Sequence, residues 1–312
     1  MALHVQEHTL LAPYSVFRIG GYARFFSAVT TAADLTEAVA FAQAEHLPVF
    51  VLGAGSNVLI SDAGFPGLVI KIELQHIAVH GTTVVAGAGA MLPRIVAESV
   101  KEGLAGFEWG IGIPGTIGGS VRGNAGSFGL DVGRVLRSVT ALNVENGALR
   151  EFAPEECHFG YRHSYFKDDP RWIVTEACLT LHPGDPDVSR ETIRKYSMHR
   201  AATQDIGAKC AGCVFKNISW DTIPGGKDGL LTAHPELRQF EQAPSLPSAY
   251  LIDRAGLKGR EFGHSRISHK HANFFINAGG ATATEVKGLI GVAKREVKER
   301  FGVDLVEEVH IV

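Results

Sequence analysis

Cys210 and Cys213 stand three residues apart in KCAGCVFKN (209–217), in a chain with only four cysteines. Three readings are open at that spacing. A redox dithiol of the thioredoxin type calls for a strand before the pair and a helix after it. VFKN after Cys213 reads as extended instead. A zinc knuckle needs two further ligands. The chain has no second Cys-x-x-Cys, which leaves His199, His269 and His271 to supply them. The third reading is two small buried thiols without chemistry. HKH (269–271) adds two imidazoles that a strand would place on one face, as a metal pair or, more commonly for a lone instance, a polar edge or a ligand contact.

Other charged positions say less locally. Tyr161-Arg162 follows a glycine, and alone the arginine reads as a surface charge. In VDLVEEVHIV (303–312) a strand would set Glu307 and Glu308 on opposite faces, Glu307 with Leu305 and Val309. A carboxylate facing inward needs a partner or a raised pKa. KREVKER (294–300) is the solvated face of a helix.

Two glycine-rich stretches suggest binding. Gly53, Ala54, Gly55, Ser56 and Asn57 start like a dinucleotide fingerprint. Val58 stands where the third glycine belongs, however, and no helix opens there, so a Rossmann reading fails. Such a turn can still present successive backbone N–H groups to an anion; a tight structural turn is the plainer alternative. GIPGTIGGSVRGNAGSFG (112–129) extends the idea. Pro114 and Gly115 set a turn, Gly118 and Gly119 leave no side chain to block a bound group, and Ser120, Asn124 and Ser127 can add hydrogen bonds. The wider glycine-rich span 103–133 also holds Phe107, Trp109, Ile111, Ile113 and Phe128, so it is a set of ordered loops rather than a linker. Two anion-type loops imply a large ligand with phosphates. No lysine follows either loop in a Walker arrangement, so P-loop hydrolysis is unsupported.

The elements that must position these groups follow from periodicity. Leu35, Ala38, Val39 and Ala42 share one helical face, with Asp34 and Glu37 able to cap the start. PVFVL (48–52) is a short buried strand leading into the first glycine loop, and VLIS (58–61) follows as β. LVIKI (68–72), TTVVAGAG (82–89) and WIVTEACLTL (172–181) are further strands, and 139–152 is a hairpin turning at Asn146-Gly147. Helices are expected over 91–103, 188–201 and 248–256. A longer one spans 283–301, capped by Thr282 and Glu285 and striped by Val286, Leu289, Ile290, Ala293 and Val297. ANFFIN (272–277) and the C-terminal ten residues are strands. The Pro- and Gly-rich stretch 219–248 lacks periodicity and reads as a loop or insertion.

At 312 residues the chain is long enough for two or three domains. A net charge of −3 gives no footprint for nucleic acid or an anionic membrane. No apolar run reaches the ~18 residues of a membrane span, and no basic-then-apolar start marks a secretory signal. Four cysteines make no disulfide framework, so a reducing cytoplasm is expected.

Taken together, the segments YSVFRIGGYARFF, VLGAGSNVLI, GFEWGIGIPGTIGGSVRGNAGSFG, FGYRHSYF, GCVFKN, GLKG, SHKHANFFIN and FGVDLVEEV resemble, in order and nearly end to end, the flavoenzyme family UDP-N-acetylenolpyruvoylglucosamine reductase (MurB). KHANF marks the resemblance as one to the shorter subtype. The resemblance implies an α+β fold: a vanillyl-alcohol-oxidase-type FAD-binding fold of two subdomains, 1–75 and 76–203 with 301–312, plus an α+β substrate-binding domain, 204–300. It implies non-covalent FAD and NADPH as co-substrate, with no metal. The implied reaction reduces UDP-N-acetylglucosamine enolpyruvate to UDP-N-acetylmuramic acid, a peptidoglycan precursor. Hydride passes from flavin N5 to C3 and a proton is added at C2.

Residue roles come with that resemblance. Arg162 matches the arginine beside the substrate carboxylate, Glu308 the C-terminal glutamate, and Cys213 the position that is serine in better-known members and protonates C2. Gly53, Ala54, Gly55, Ser56, Asn57, Ile113, Pro114, Gly115, Thr116, Gly118, Gly119 and Asn124 would hold FAD. Tyr161, Arg200, Lys216, Asn217 and His271 would line the substrate. Two positions depart from the pattern: Thr203 stands where the longer subtype has a lysine, and Ile218 where a proline usually follows FKN. An oxidase or dehydrogenase of another alcohol or sugar, and a non-catalytic nucleotide-sugar binder, are the competing readings.

Overall fold

The structure is a computed structural model that describes residues 3–312. The chain forms two compact units. The first comprises residues up to Leu10, Tyr22–Gly55 and Phe65–Ala202; the second comprises Leu11–Gly21, Ser56–Gly64 and Thr203–Val312. Residues 301–312, read from the sequence as part of the second flavin subdomain, fall in the second unit.

The first unit holds two sheets. One runs in the order Gln6–Leu10, Tyr22–Val29, Phe65–Ile72, Val49–Leu52; its last three strands are mutually parallel. The parallel step from Tyr22–Val29 to Val49–Leu52 is crossed by the helix Ala32–Ala44. That helix buries Leu35, Ala38, Val39 and Ala42, the stripe expected from a 3.6 period. Its cap differs from the sequence expectation. Thr31 is the N-cap, accepting from the Asp34 N–H, and Asp34 accepts in return from the Thr31 N–H; Glu37 takes no part. The second sheet is antiparallel throughout, in the order Leu149–Phe152, Leu136–Asn143, Trp172–Thr180, Thr83–Gly87, Ile77–His80. Its hairpin turns at Asn146-Gly147 as expected, with Gly147 at φ +71°. Helix Leu92–Lys101 buries Leu92, Ile95 and Val96 into the same core.

The second unit centres on the helix Ala283–Phe301. Thr282 and Glu285 form its capping box, Gly302 its left-handed end, and Val286, Leu289, Ile290, Ala293 and Val297 its buried stripe. A three-stranded antiparallel sheet, Glu261–Phe262, Ser265–Ile267 and Phe275–Asn277, belongs to the same unit. The stretch 219–248 is ordered, contrary to the loop reading. It contains the helix Gly226–Ala233, and Ile218–Ser219 pairs with Ser245–Leu246. Leu230, Leu231, Leu237 and Leu246 are buried in the unit's core. Each such side chain contributes on the order of 1.5–3 kcal/mol, enough to hold an aperiodic segment in place. HKH does not lie on a strand either. The Ser268 hydroxyl accepts from the N–H groups of Lys270 and His271 and turns the chain there, so the shared-face argument for two imidazoles fails. No helix among the described residues is long and apolar enough to cross a membrane.

Candidate active site

In the first unit the two glycine-rich loops meet. Strand Val49–Leu52 delivers Gly53, and a Cβ on Gly53 would lie 2.6 Å from Thr116 Oγ1. Only glycine allows that approach. Leu52 is paired in register with Lys71 on the neighbouring parallel strand, and Lys71 Nζ donates to the Gly53 carbonyl at 2.8 Å. Burial lowers the lysine's pKa, opposed by the charge of Glu73. The second loop contains a short helix that the sequence reading missed, Ile117–Gly123, whose Thr116 side chain accepts from the Gly119 N–H. Gly115 accepts from Leu92 N–H through its carbonyl. Gly118 serves packing rather than ligand access: a Cβ there would lie 2.7 Å from Ala88 Cβ. Gly119 does stay open, with no atom nearer than Thr116 Oγ1 at 3.5 Å from its would-be Cβ. Ile113 is half-buried and Pro114 exposed beside this turn.

Asn124 ends that helix at φ +41°. Its Nδ2 donates to Gly160 O and its Oδ1 accepts from Gly133 N–H, both at 3.0 Å. The side chain therefore ties the loop to 158–167. There Gly160 and His163 exchange both backbone hydrogen bonds across a two-residue turn of Tyr161 and Arg162. Arg162 holds φ +54°, which costs a non-glycine residue about 1–2 kcal/mol. Its guanidinium donates to Gly126 O at 3.0 Å, while its own carbonyl accepts from Lys167 Nζ at 2.9 Å. Tyr161 is 53 % exposed. Phe128, at φ +55°, stacks on Tyr196 with ring centroids 4.1 Å apart. Arg200 lies on the backbone of Gly112, where a Cβ would meet its Cδ at 2.2 Å. An open cleft of about 520 Å³ in the same unit is lined by Val49 and Val51 of the strand that leads into Gly53, by Val39, Val144 and Ile173, and by the polar Gln43, His46, Glu145 and Arg171.

In the second unit Cys213 begins an extended segment held from both sides. On one side Cys213 bridges Phe274 and Val214 N–H donates to Asn273 O at 2.9 Å. On the other, Val214 O accepts from Glu308 N–H at 2.7 Å and from Val309 N–H at 3.3 Å, while Lys216 N–H donates to Val306 O at 2.9 Å. Two residues facing one is a bulge, a device that re-aims side chains next to a site. Asn57 joins here: its Nδ2 donates to Glu308 O at 3.2 Å and its carbonyl accepts from His310 N–H at 3.0 Å. Asn217 Oδ1 accepts from Ser248 N–H, and His271 Nδ1 accepts from Asn273 N–H. Cys213, Lys216, Asn217, His271, Glu308 and Asn57 are thus brought onto one hydrogen-bonded framework, and Gly53, Thr116, Asn124 and Arg162 onto another. Glu307 is the carboxylate that needed a partner, and Lys294 Nζ supplies it at 2.9 Å. Burial pushes the Cys157 thiol up to about 12 and raises Cys178 and Cys210 as well. None of the four cysteines is in a disulfide, and no metal-type cluster of His, Cys, Asp and Glu forms among the described residues.

Sequence reasoning missed Asn273, Lys71 and the Phe128–Tyr196 stack. A polar Asn within the apolar ANFFIN was the one available signal.

Residues 23–153 match the family described as FAD binding domain, which makes the chain a flavin-binding protein by class. Residues 204–312 match the family described as UDP-N-acetylenolpyruvoylglucosamine reductase, C-terminal domain. Similar curated proteins include UDP-N-acetylenolpyruvoylglucosamine reductases of Rubrobacter xylanophilus, 36% identical over 97% of this chain and 93% of that one, and of a Synechococcus strain, 37% identical over 98% and 91%. The crystal structure of UDP-N-acetylenolpyruvylglucosamine reductase (MurB) from Thermus caldophilus superimposes with a TM-score of 0.78 at 32% identity, over 99% of each chain. The chain belongs to the UDP-N-acetylenolpyruvoylglucosamine reductase (MurB) family. The fold expectation holds with it: a mixed α and β chain whose first part is the flavin-binding fold.

Proposed function

We propose that the protein reduces the enolpyruvyl group of UDP-N-acetylglucosamine enolpyruvate, forming UDP-N-acetylmuramic acid for peptidoglycan synthesis in a bacterial cytoplasm. The residues present suit FAD. The backbone at Gly119 is open to a diphosphate without Cβ obstruction, beside the turn that Gly53 closes by packing against Thr116. Ala54, Gly55, Ser56, Asn57, Ile113, Pro114, Gly115, Gly118 and Asn124 complete that holding set, Gly118 and Asn124 by shaping the loop. Bound FAD would supply the two-electron relay between NADPH and substrate carbon C3.

The polar work falls to this chain's side chains. Arg162, aimed by its strained turn, stabilises the negative charge that grows at the substrate carboxyl group. Cys213 gives its Sγ proton to C2. A thiol, with a pKa of about 8.5, is a far stronger acid than the serine hydroxyl used elsewhere in the family. Glu308 assists through the substrate carboxyl group. Tyr161, Arg200, Lys216, Asn217 and His271 orient the nucleotide sugar. The observation that carries this reading is the 2.7 Å bond from Glu308 N–H to Val214 O, which fixes Glu308 beside the donor's strand.

The test is spectroscopic. NADPH should bleach the flavin absorbance of the purified protein, and UDP-N-acetylglucosamine enolpyruvate should restore it under anaerobic conditions with formation of UDP-N-acetylmuramic acid. A flavin that stays bleached in the presence of the enolpyruvate would end the proposal.

A further inference from the structure

Asn273 is 1 % exposed, and both ends of its carboxamide are engaged. Oδ1 accepts from Phe215 N–H at 2.9 Å. Nδ2 donates to Phe215 O at 2.8 Å and to Ser248 Oγ at 2.8 Å. One side-chain amide thus satisfies the donor and the acceptor of a single backbone residue, as a neighbouring strand's peptide would. The main chain of Asn273 adds two bonds. Its carbonyl accepts from Val214 N–H at 2.9 Å, and its N–H donates to His271 Nδ1 at 3.3 Å. An Nδ1 that accepts carries no proton, so the neutral His271 ring keeps its proton on Nε2.

These bonds fall on the two residues that follow Cys213. Opposite them, Glu308 and Val309 hold Val214 O. The segment that carries the thiol is short, and its Cys213 and Phe215 pairings are isolated bridges rather than part of a longer ladder. A slip of one residue there would turn the thiol to the other face. The Asn273 carboxamide is what replaces the missing ladder.

We propose that Asn273 is the positioning residue of the proton donor, fixing the phase of the Cys213–Phe215 segment and, through its own N–H, the tautomer of His271. This rests on Cys213 being the donor. No other common side chain of this size serves. Leucine fills the space without hydrogen bonds, and an ionised aspartate offers no donor to Phe215 O or Ser248 Oγ.

A double-mutant cycle in full-length holoenzyme tests it. Asn273→Leu, Cys213→Ala and the double variant are reduced with dithionite, and flavin reoxidation by UDP-N-acetylglucosamine enolpyruvate is followed in a single turnover. Asn273→Leu should slow reoxidation on the order of 10²-fold, the size expected of a small misplacement of a reacting group. In the Cys213→Ala background the same change should add less than about twofold, because a positioning residue acts only through what it positions. Hydrogen exchange on the same holoenzyme gives a second readout: the Phe215 amide should lose protection while helix Ala283–Phe301 keeps its own. Where Asn273→Leu does not fold, Asn273→Ala, which buries neither bulk nor charge, removes the same bonds and runs through the same cycle with the same expectation. Equal slowing in both backgrounds, or no slowing in the Cys213 enzyme, overturns the proposal and leaves the donor reading standing. Wild-type reoxidation by Cys213→Ala alone overturns the donor reading, and this proposal with it.

Discussion

The two units hold their polar residues by opposite means. In the first, Asn124, Phe128, His158 and Arg162 all sit at positive φ, within two segments stitched together by Asn124 to Gly160, Arg162 to Gly126 and Ser164 to Arg122. Strained backbone is stored there, and the hydrogen bonds over-determine it. In the second unit Cys213 lies on an extended segment between two hydrogen-bonded neighbours, and a buried amide supplies its register. The contrast follows from what each side chain is. A long guanidinium at a turn tip is aimed by bending the chain under it. A thiol one bond from Cβ is aimed by fixing its Cα.

If the strain of the first unit serves the arginine, removing the charge should cost most. Arg162→Ala should lower turnover about 10²–10³-fold, the scale for one donor to developing negative charge, while stability falls only by about the 1 kcal/mol of the lost bond to Gly126 O. A variant within twofold of wild type would reduce the strained turn to a structural curiosity.

Asn124→Ala probes the stitching instead. It leaves Gly133 N–H without its acceptor, leaves Gly160 O with only the His163 N–H, and keeps a left-handed residue, so a loss of roughly 2 kcal/mol is expected in urea unfolding. Asn124→Gly removes the backbone strain but not the lost bonds, and should recover part of that loss. Equal stability of all three would show that the stitching does not hold the turn.

The smallest effect in the first unit is electrostatic. The Arg171 guanidinium, hydrogen-bonded to Asp169, holds that carboxyl well below the usual range, with burial opposing. A lowered folded-state pKa stabilises the fold above the unfolded carboxyl value of about 3.9, and that stabilisation is lost as pH falls below it. Asp169→Asn should therefore cost about 1 kcal/mol at pH 7, since Arg171 is more than half exposed, and progressively less below pH ~4. A difference that grows on acidification would contradict the assignment.

Much of the fold was legible because it is periodic. The stripes of Ala32–Ala44 and Ala283–Phe301 and the turn at Asn146-Gly147 could be read directly. The segment 219–248 could not. Its buried Leu230, Leu231, Leu237 and Leu246 are spread over a short helix and tight turns that keep no single period. HKH misled because alternation says nothing about a serine that captures the next N–H groups. Gly118 misled because a missing side chain looks the same whether a ligand or Ala88 fills the space. At the site, Arg162 was visible only through the family resemblance, since backbone strain has no residue signature outside glycine and asparagine. Asn273 went unread because its partners lie 25 and 58 residues away.

Cys213 is the acid on which the proposed reaction depends. Enzyme reduced beforehand and mixed with UDP-N-acetylglucosamine enolpyruvate should reoxidise about 10²–10⁴-fold more slowly as Cys213→Ala, while Cys213→Ser remains active and Cys210→Ala, buried three residues away, matches wild type. Reoxidation of the Cys213→Ala enzyme within twofold of wild type would contradict the account, and loss of turnover in Cys210→Ala would return the pair to a redox dithiol.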